Sequence, residues 1–140
     1  MSDNLWAVVA AANLCTLATI KRDGRPQLSD VNYTADDKTR VLRVSTRETL
    51  AKVHNLRRDP RASLRVAGPG GGGYVVAEVH ATFSAPSADV HDATVEELIA
   101  YYRGTAGEHP DWDDYRRAMV ADRRLVVRFR PEHVYGQIGG

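Results

Sequence analysis

The sequence predicts an α+β domain, mainly β, whose antiparallel strands close or partly close into a Greek-key or split barrel with peripheral helices. Three observations predict it. Short β-rich segments follow one another from Leu14–Ile20 to Arg124–Arg130. Turns rather than helices join the first three, whereas parallel order would need a helix after nearly every strand. The helical patterns fall between or outside these segments instead of alternating with them.

The elements are justified in order. Asp3 caps a helix carrying Leu5, Trp6, Val8, Val9 and Ala12, expected to end near Asn13 and to lid one end of the core. Leu14–Ile20 is a strand, Asp23-Gly24 marks a hairpin turn, and Arg25–Tyr33 returns as a second strand. In that strand Gln27, Ser29 and Val31 point one way and Leu28, Asp30 and Asn32 the other. Both faces mix polar and apolar side chains, as strands lining a site do. Ala35–Thr39 is another turn and Arg40–Thr46 a third strand, which gives an antiparallel meander. Arg61–Ala67 and Tyr74–Ser84 are the fourth and fifth strands. The glycine run between them, Gly68–Gly73, lacks the Gly-Lys-Ser/Thr ending and the following helix of a phosphate loop, so it reads as a flexible connection. Asp92–Arg103 carries Val95, Leu98, Ile99 and Tyr102 at helical spacing, and a further helix runs from Pro110 to about Ala121. Arg124–Arg130 closes the sheet before Pro131 and a tail.

Length and charge bound the function. A chain of 140 residues suits one compact domain, residues 1–140, with one core. With 19 basic and 18 acidic side chains the balance is nearly neutral, which argues against a nucleic-acid module. The single cysteine, Cys15, permits no disulfide within the chain and reads as a buried small hydrophobe. No stretch is apolar enough to span a bilayer and no leader pattern opens the sequence, so the expected location is the reducing cytoplasm.

The stretch Val44–Ala62 carries the strongest functional signal. Ser45 and Glu48 have capping-box spacing, which predicts a helix beginning just after Ser45 and ending at Asp59-Pro60. Leu50, Val53 and Leu56 would face the sheet, and Glu48, Lys52 and Asn55 would face solvent or a ligand. A helix N-terminus following a strand, with Lys52 one turn on and Arg47, Arg57, Arg58 and Arg61 nearby, suits an anion. The bland alternative is a solvated helix face.

Other chemistry has little foothold. His54, His80, His91, His109 and His133 have no metal-site spacing, and no cysteine pair supports them. No Gly-x-Ser-x-Gly elbow is present, and no residue stands out as a general acid or base. The pattern points to binding, or to chemistry lent by a cofactor.

Several motifs together carry a resemblance: Leu17-Ala-Thr-Ile20, Asp23-Gly-Arg-Pro-Gln-Leu-Ser29, Val44-Ser45, Ala51-Lys52, Asn55-Leu-Arg-Arg-Asp-Pro-Arg-Ala62, Val76-Ala-Glu78, Gly107-Glu-His109, Trp112-Asp-Asp-Tyr-Arg116 and His133-Val-Tyr-Gly136. Over nearly its whole length the chain resembles the deazaflavin-dependent branch of the pyridoxamine 5′-phosphate oxidase-like proteins, flavin-binding split β-barrels of actinobacteria. The resemblance implies a homodimer with coenzyme F-420 in a groove between subunits, and an oxidoreductase that passes a hydride to a small organic acceptor. It puts Lys52 and Asn55 at the cofactor's phosphate and tail, with Val44, Ser45 and Thr46 at the strand-to-helix junction. Gln27 and Ser29 would face the ring system and Tyr74 the rim, with no catalytic side chain and no metal ligand. Leu50 stands where relatives often carry a second basic residue over the phosphate, with Arg47 as its possible substitute. The glycine run stands where some carry an aromatic near the cofactor. Two alternatives stay open: FMN in the same cleft, as in an oxidase or flavin reductase, and a non-catalytic cofactor-binding protein.

Overall fold

The computed structural model describes residues 3–139. Its elements are α1 (Asp3–Ala11), β1 (Leu14–Ile20), β2 (Pro26–Asn32), β3 (Thr34–Ala35), β4 (Leu42–Arg47), α2 (Ala51–Arg58), β5 (Arg61–Ala67), β6 (Tyr74–Phe83), α3 (Ala93–Ala106), α4 (Trp112–Ala121) and β7 (Arg124–Gln137). The strands form one antiparallel sheet in the order β2-β1-β5-β6-β7-β4-β3. β2 and β3 are therefore opposite edges, yet Tyr33 alone separates them in the chain, so the sheet must curl until its edges nearly meet. Tyr33 fastens that closure. It is fully buried; its backbone N–H donates to the Asn13 carbonyl at 2.9 Å and its hydroxyl to the Val9 carbonyl at 2.5 Å. The architecture is the α+β antiparallel split barrel that the sequence predicts.

Three expectations are corrected. The first three strands are not a meander, because after β2 the chain crosses at Tyr33 to the other edge, and β4 pairs with β3 and β7 instead. The segment after Pro131 is not a free tail. β7 runs on to Gln137 along β6, with Val79 opposite Pro131 and Glu78 opposite His133. Glu132 is the extra residue of a bulge, which accommodates a proline that cannot donate to the ladder. The third correction, to the start of α2, bears on the site and is described with it.

The core follows from the alternation. Leu17, Leu64, Val75, Ala77, Leu125, Val127 and Phe129 point inward and meet Trp6 and Val9 of α1 and Leu56 of α2. A smaller cluster packs Val95, Leu98, Ile99 and Tyr115 of α3 and α4 on Val126, on the opposite face of β7. Trp112 packs against the same cluster, its ring 5.6 Å from that of Tyr115. Electrostatics fix the seat of α3: Glu97 accepts from Arg43 Nε at 2.8 Å and from Arg128 Nε at 2.8 Å. α3 also approaches β3 closely, since a Cβ on Gly104 would lie 2.7 Å from the Thr34 methyl group.

Burial pushes the Glu97 carboxyl upward, but the hydrogen bonds from Arg128 and Arg43 outweigh it and hold its pKa below the ordinary value. A depressed carboxylate contributes stability that is present above the unfolded pKa, about 4.3, and fades as pH falls through the folded value. Glu97→Gln should cost about 1–2 kcal/mol at neutral pH, a figure discounted because both arginines are partly exposed. Urea titrations at pH 7 and pH 3 check this: the difference between wild type and variant should shrink in acid.

Candidate functional site

The barrel is split because its edge pairing stops early. β3 covers β4 only at Leu42 and Arg43, and among the described residues no strand pairs with β4 on that side from Val44 onward, or with the outer edge of β2. Tyr101 of α3 spans the gap. Its hydroxyl donates to the Asn32 carbonyl of β2 at 3.2 Å and accepts from the Ser45 backbone N–H of β4. Burial pushes this hydroxyl's pKa up, and the Ser45 bond acts the other way. Beside it a cavity of about 340 Å³ is lined by Val31, Asn32, Val44 and Ser45, with Tyr101 and Arg124.

Two groups at this split lack what they need. The Thr46 side chain is 3% exposed, and its hydroxyl has no hydrogen-bond partner. Lys52 is half-buried, and burial lowers its pKa; the other influence, from Cys15, acts upward, and among the described residues no carboxylate pairs with it. Lys52 and Cys15 feel each other's charge, and Cys15 stands opposite Val31 in the β1–β2 ladder. A buried hydroxyl without a partner and a half-buried ammonium without a counter-ion are each costly until something satisfies them. An anionic, hydrogen-bonding group would satisfy both, and the residues present fit a phosphate-bearing cofactor on that account.

The local chain differs from the capping-box reading. α2 begins at Ala51, behind an extended Leu50 that makes no side-chain cap, and Glu48 pairs with Arg57 at 3.4 Å. The ladder with β7 continues to Arg47 opposite Arg124, and these sheet bonds hold Ser45 and Thr46 in β4. The arginine cluster is also dispersed. Arg57 lies 4.3 Å over the Phe83 ring, Arg58 donates to the Ile20 carbonyl at 2.9 Å, and Arg61 pairs with Asp59 at 2.7 Å. Lys52, by contrast, has no such partner among the described residues.

The other expected residues divide. Gln27 and Ser29 share the inward face with Val31, opposite Thr19 and Leu17, as the alternation predicts. Asn55 does not face solvent: it is 7% exposed, donating to Gln27 at 2.7 Å and Thr19 at 3.1 Å while accepting from Arg58 at 3.1 Å. It clasps α2 to the β1–β2 hairpin. Tyr74 is not brought to this split; it sits between Ala67 and Gln137 on the outward face of β6, with Arg65 6.0 Å over its ring. Asn32, Tyr101 and Arg124 went unread because no spacing in the sequence tells that α3 crosses the gap.

The sequence matches the pyridoxamine 5′-phosphate oxidase family over residues 1–138. The chain belongs to that family. Solved structures similar to this family member include a conserved hypothetical protein of Mycobacterium tuberculosis, 25% identical, with TM-score 0.71 and coverage of 97% of this chain and 84% of that one. An F-420 reductase is 23% identical with TM-score 0.69, over 96% of this chain and 98% of that one. A FAD-binding protein of Mesorhizobium loti is 21% identical with TM-score 0.66, over 97% and 92%. Among the described residues no helix is long and apolar enough to cross a membrane, and no cluster of His, Cys, Asp or Glu could hold a metal ion.

Two outcomes follow for this family member. Asn55→Ala should lower stability by about 1–3 kcal/mol in urea unfolding, because it strands the buried Thr19 hydroxyl and the half-buried Gln27 amide; a residue that only touches a cofactor would leave the unliganded protein's stability unchanged. Cys15 is 3% exposed, and burial pushes its thiol up to about 12. Native protein at pH 8 should therefore resist a thiol reagent that labels the urea-unfolded chain within minutes.

Proposed function

We propose that this protein is a homodimeric oxidoreductase that binds reduced coenzyme F-420 at the split of the barrel and passes its hydride to a small organic acceptor. Two observations carry the reading: Lys52, at the start of α2, is a half-buried ammonium with no counter-ion, and Thr46, near the end of β4, has a buried hydroxyl with no partner. Lys52 would hold the phosphate and Thr46 would donate to it or to the adjoining chain. Gln27 and Ser29, on the inward face of β2, would flank the ring, and Asn55 would act through Gln27 by fixing its amide. Val44 and the Tyr101 bridge would exclude water from one side. The deazaflavin supplies hydride chemistry that no side chain of this chain can, and water serves as proton source, so the lack of a positioned acid is no obstacle. The likeness to an F-420 reductase supports this choice of cofactor.

The dimer has its own support. Among the described residues Leu14, Leu28, Tyr74 and Tyr135 are the exposed large hydrophobic ones, and all lie on the outward face of β1, β2, β6 and β7. A second copy covering that face would also bring Tyr74 to the rim of a shared groove. The likeness to a FAD-binding protein favours a second reading, FMN in the same cleft.

Titration of oxidised and reduced coenzyme F-420 and of FMN into wild type, Lys52→Ala and the distant control Lys38→Ala tests the reading. Lys52→Ala should lose roughly ten- to a hundred-fold in cofactor affinity, about 1.5–3 kcal/mol, with Lys38→Ala unchanged. Its stability should hold or rise, since the change removes a desolvated charge that lacks a partner. Wild-type affinity in Lys52→Ala removes the anion site. Preference for FMN replaces the deazaflavin with the second reading.

A further inference from the structure

The cavity at the split has a second wall, under α3 and α4, that the proposed cofactor residues do not use. It is built from the Tyr102 and Tyr115 rings, Met119 and Val31, and no Asp or Glu lines it. Arg124 enters this wall from the first position of β7, and its Nε is buried without a hydrogen-bond acceptor. The carboxylate of Asp122 stands 4.0 Å away and is half exposed, too far to bond. The neighbouring hydroxyls already donate elsewhere, Tyr101 to the Asn32 carbonyl and Tyr115 to the Leu98 carbonyl at 3.0 Å. What the cavity offers a visitor is the Arg124 guanidinium, the polar groups of Ser45, Asn32 and Tyr102, and an otherwise aromatic, apolar surround.

We propose that this cavity binds a small organic carboxylate, with its apolar body among Tyr102, Tyr115 and Met119 and its carboxylate on Arg124. A guanidinium whose nearest carboxylate is too far for a hydrogen bond is satisfied best by an anionic oxygen, through a short charge-assisted bond. The volume, about 340 Å³, lies at the small end of the ligand range, roughly 300–1,000 Å³, and suits a single ring with a short side arm. Val44 and Ser45 border both this cavity and the proposed cofactor site, so the acid would lie beside the cofactor. Its role as the hydride acceptor rests on the function proposed above; its binding does not.

The test uses the full-length chain without cofactor, titrated by calorimetry or ligand-observed NMR with benzoate and with its neutral counterpart benzamide. Wild type should bind benzoate the more tightly. Arg124→Gln should weaken benzoate roughly tenfold or more and leave benzamide unchanged. Met119→Trp, which fills the cavity, should weaken both, and it decides the matter should Arg124→Gln fail to fold. Equal binding of the two probes, benzoate affinity unaltered by Arg124→Gln, or both probes unaffected by Met119→Trp overturns the proposal. So does an Arg124→Gln variant that loses coenzyme F-420 but keeps benzoate, since Arg124 would then belong to the cofactor. Failure of coenzyme F-420 to bind wild type leaves the benzoate result standing.

Discussion

The rest of the molecule depends on how the sheet closes. A seven-stranded antiparallel sheet whose two edge strands are separated by one residue must bend its edges together, and Tyr33 is where the bend is secured. A full barrel would finish the job with ladder hydrogen bonds between its edges, removing both. Here β3 is two residues long, so closure by backbone stops after Leu42 and Arg43. The remaining edges are bridged by side chains instead, with Tyr101 touching both. A gap bridged by one tyrosine leaves room that a ladder would not. The cavity, the unpartnered hydroxyl and the unpaired ammonium all lie along it.

The helices follow from the same constraint. α1 and the Leu56 side of α2 fill the interior, which a curled sheet of this size cannot fill with its own side chains. α3 and α4 cover the outward face where β4 and β7 meet, and the Glu97 carboxylate between Arg43 and Arg128 ties α3 across both strands. That tie sets the height of Tyr101, one helical turn further along, over the split. Packing, charge and site geometry are thus linked through a single helix. On the other strands the outward face stays uncovered, which is why its leucines and tyrosines remain in solvent in a single subunit.

Much of this was legible in the sequence, and the exceptions have physical causes. Alternation gave the strands and which residues share a face, Gln27 and Ser29 with Val31 among them, because period-two patterns report on side-chain direction. Partner choice was not legible. Nothing local distinguishes a third strand that folds back on the second from one that crosses to the far edge, since the decision lies in long-range closure at Tyr33. The Ser45–Glu48 spacing misled for a related reason: a capping box is a local preference worth about 1 kcal/mol, whereas continuing the β4–β7 ladder to Arg47 adds several backbone bonds. Asn55 was misplaced because an eight-residue helix lying across a hairpin buries more than one stripe, and a polar residue on the extra buried surface finds partners there. The arginines near α2 looked like one electropositive patch, yet Arg57, Arg58 and Arg61 each found an acceptor or ring once the chain folded.

What remains after those pairings gives the site its meaning. A folded chain that satisfies Arg57, Arg58, Arg61 and Asn55 locally had partners available for Lys52 as well, since carboxylates are nearly as numerous as cations. Leaving an ammonium half-buried without one, and a buried hydroxyl with no bond, costs stability that an ordinary surface would recover by rotating the groups into water. Both groups sit on the β4–α2 connection, where the sheet ladder fixes Thr46 and the helix fixes Lys52, so neither is free to relax. A chain that carries such a cost on β4 and again on α2, while pairing Arg57, Arg58 and Arg61, favours a ligand that repays it on binding. A phosphate would do so with a single group, and the proposed cofactor, carrying its own redox chemistry, would need no metal cluster beside it.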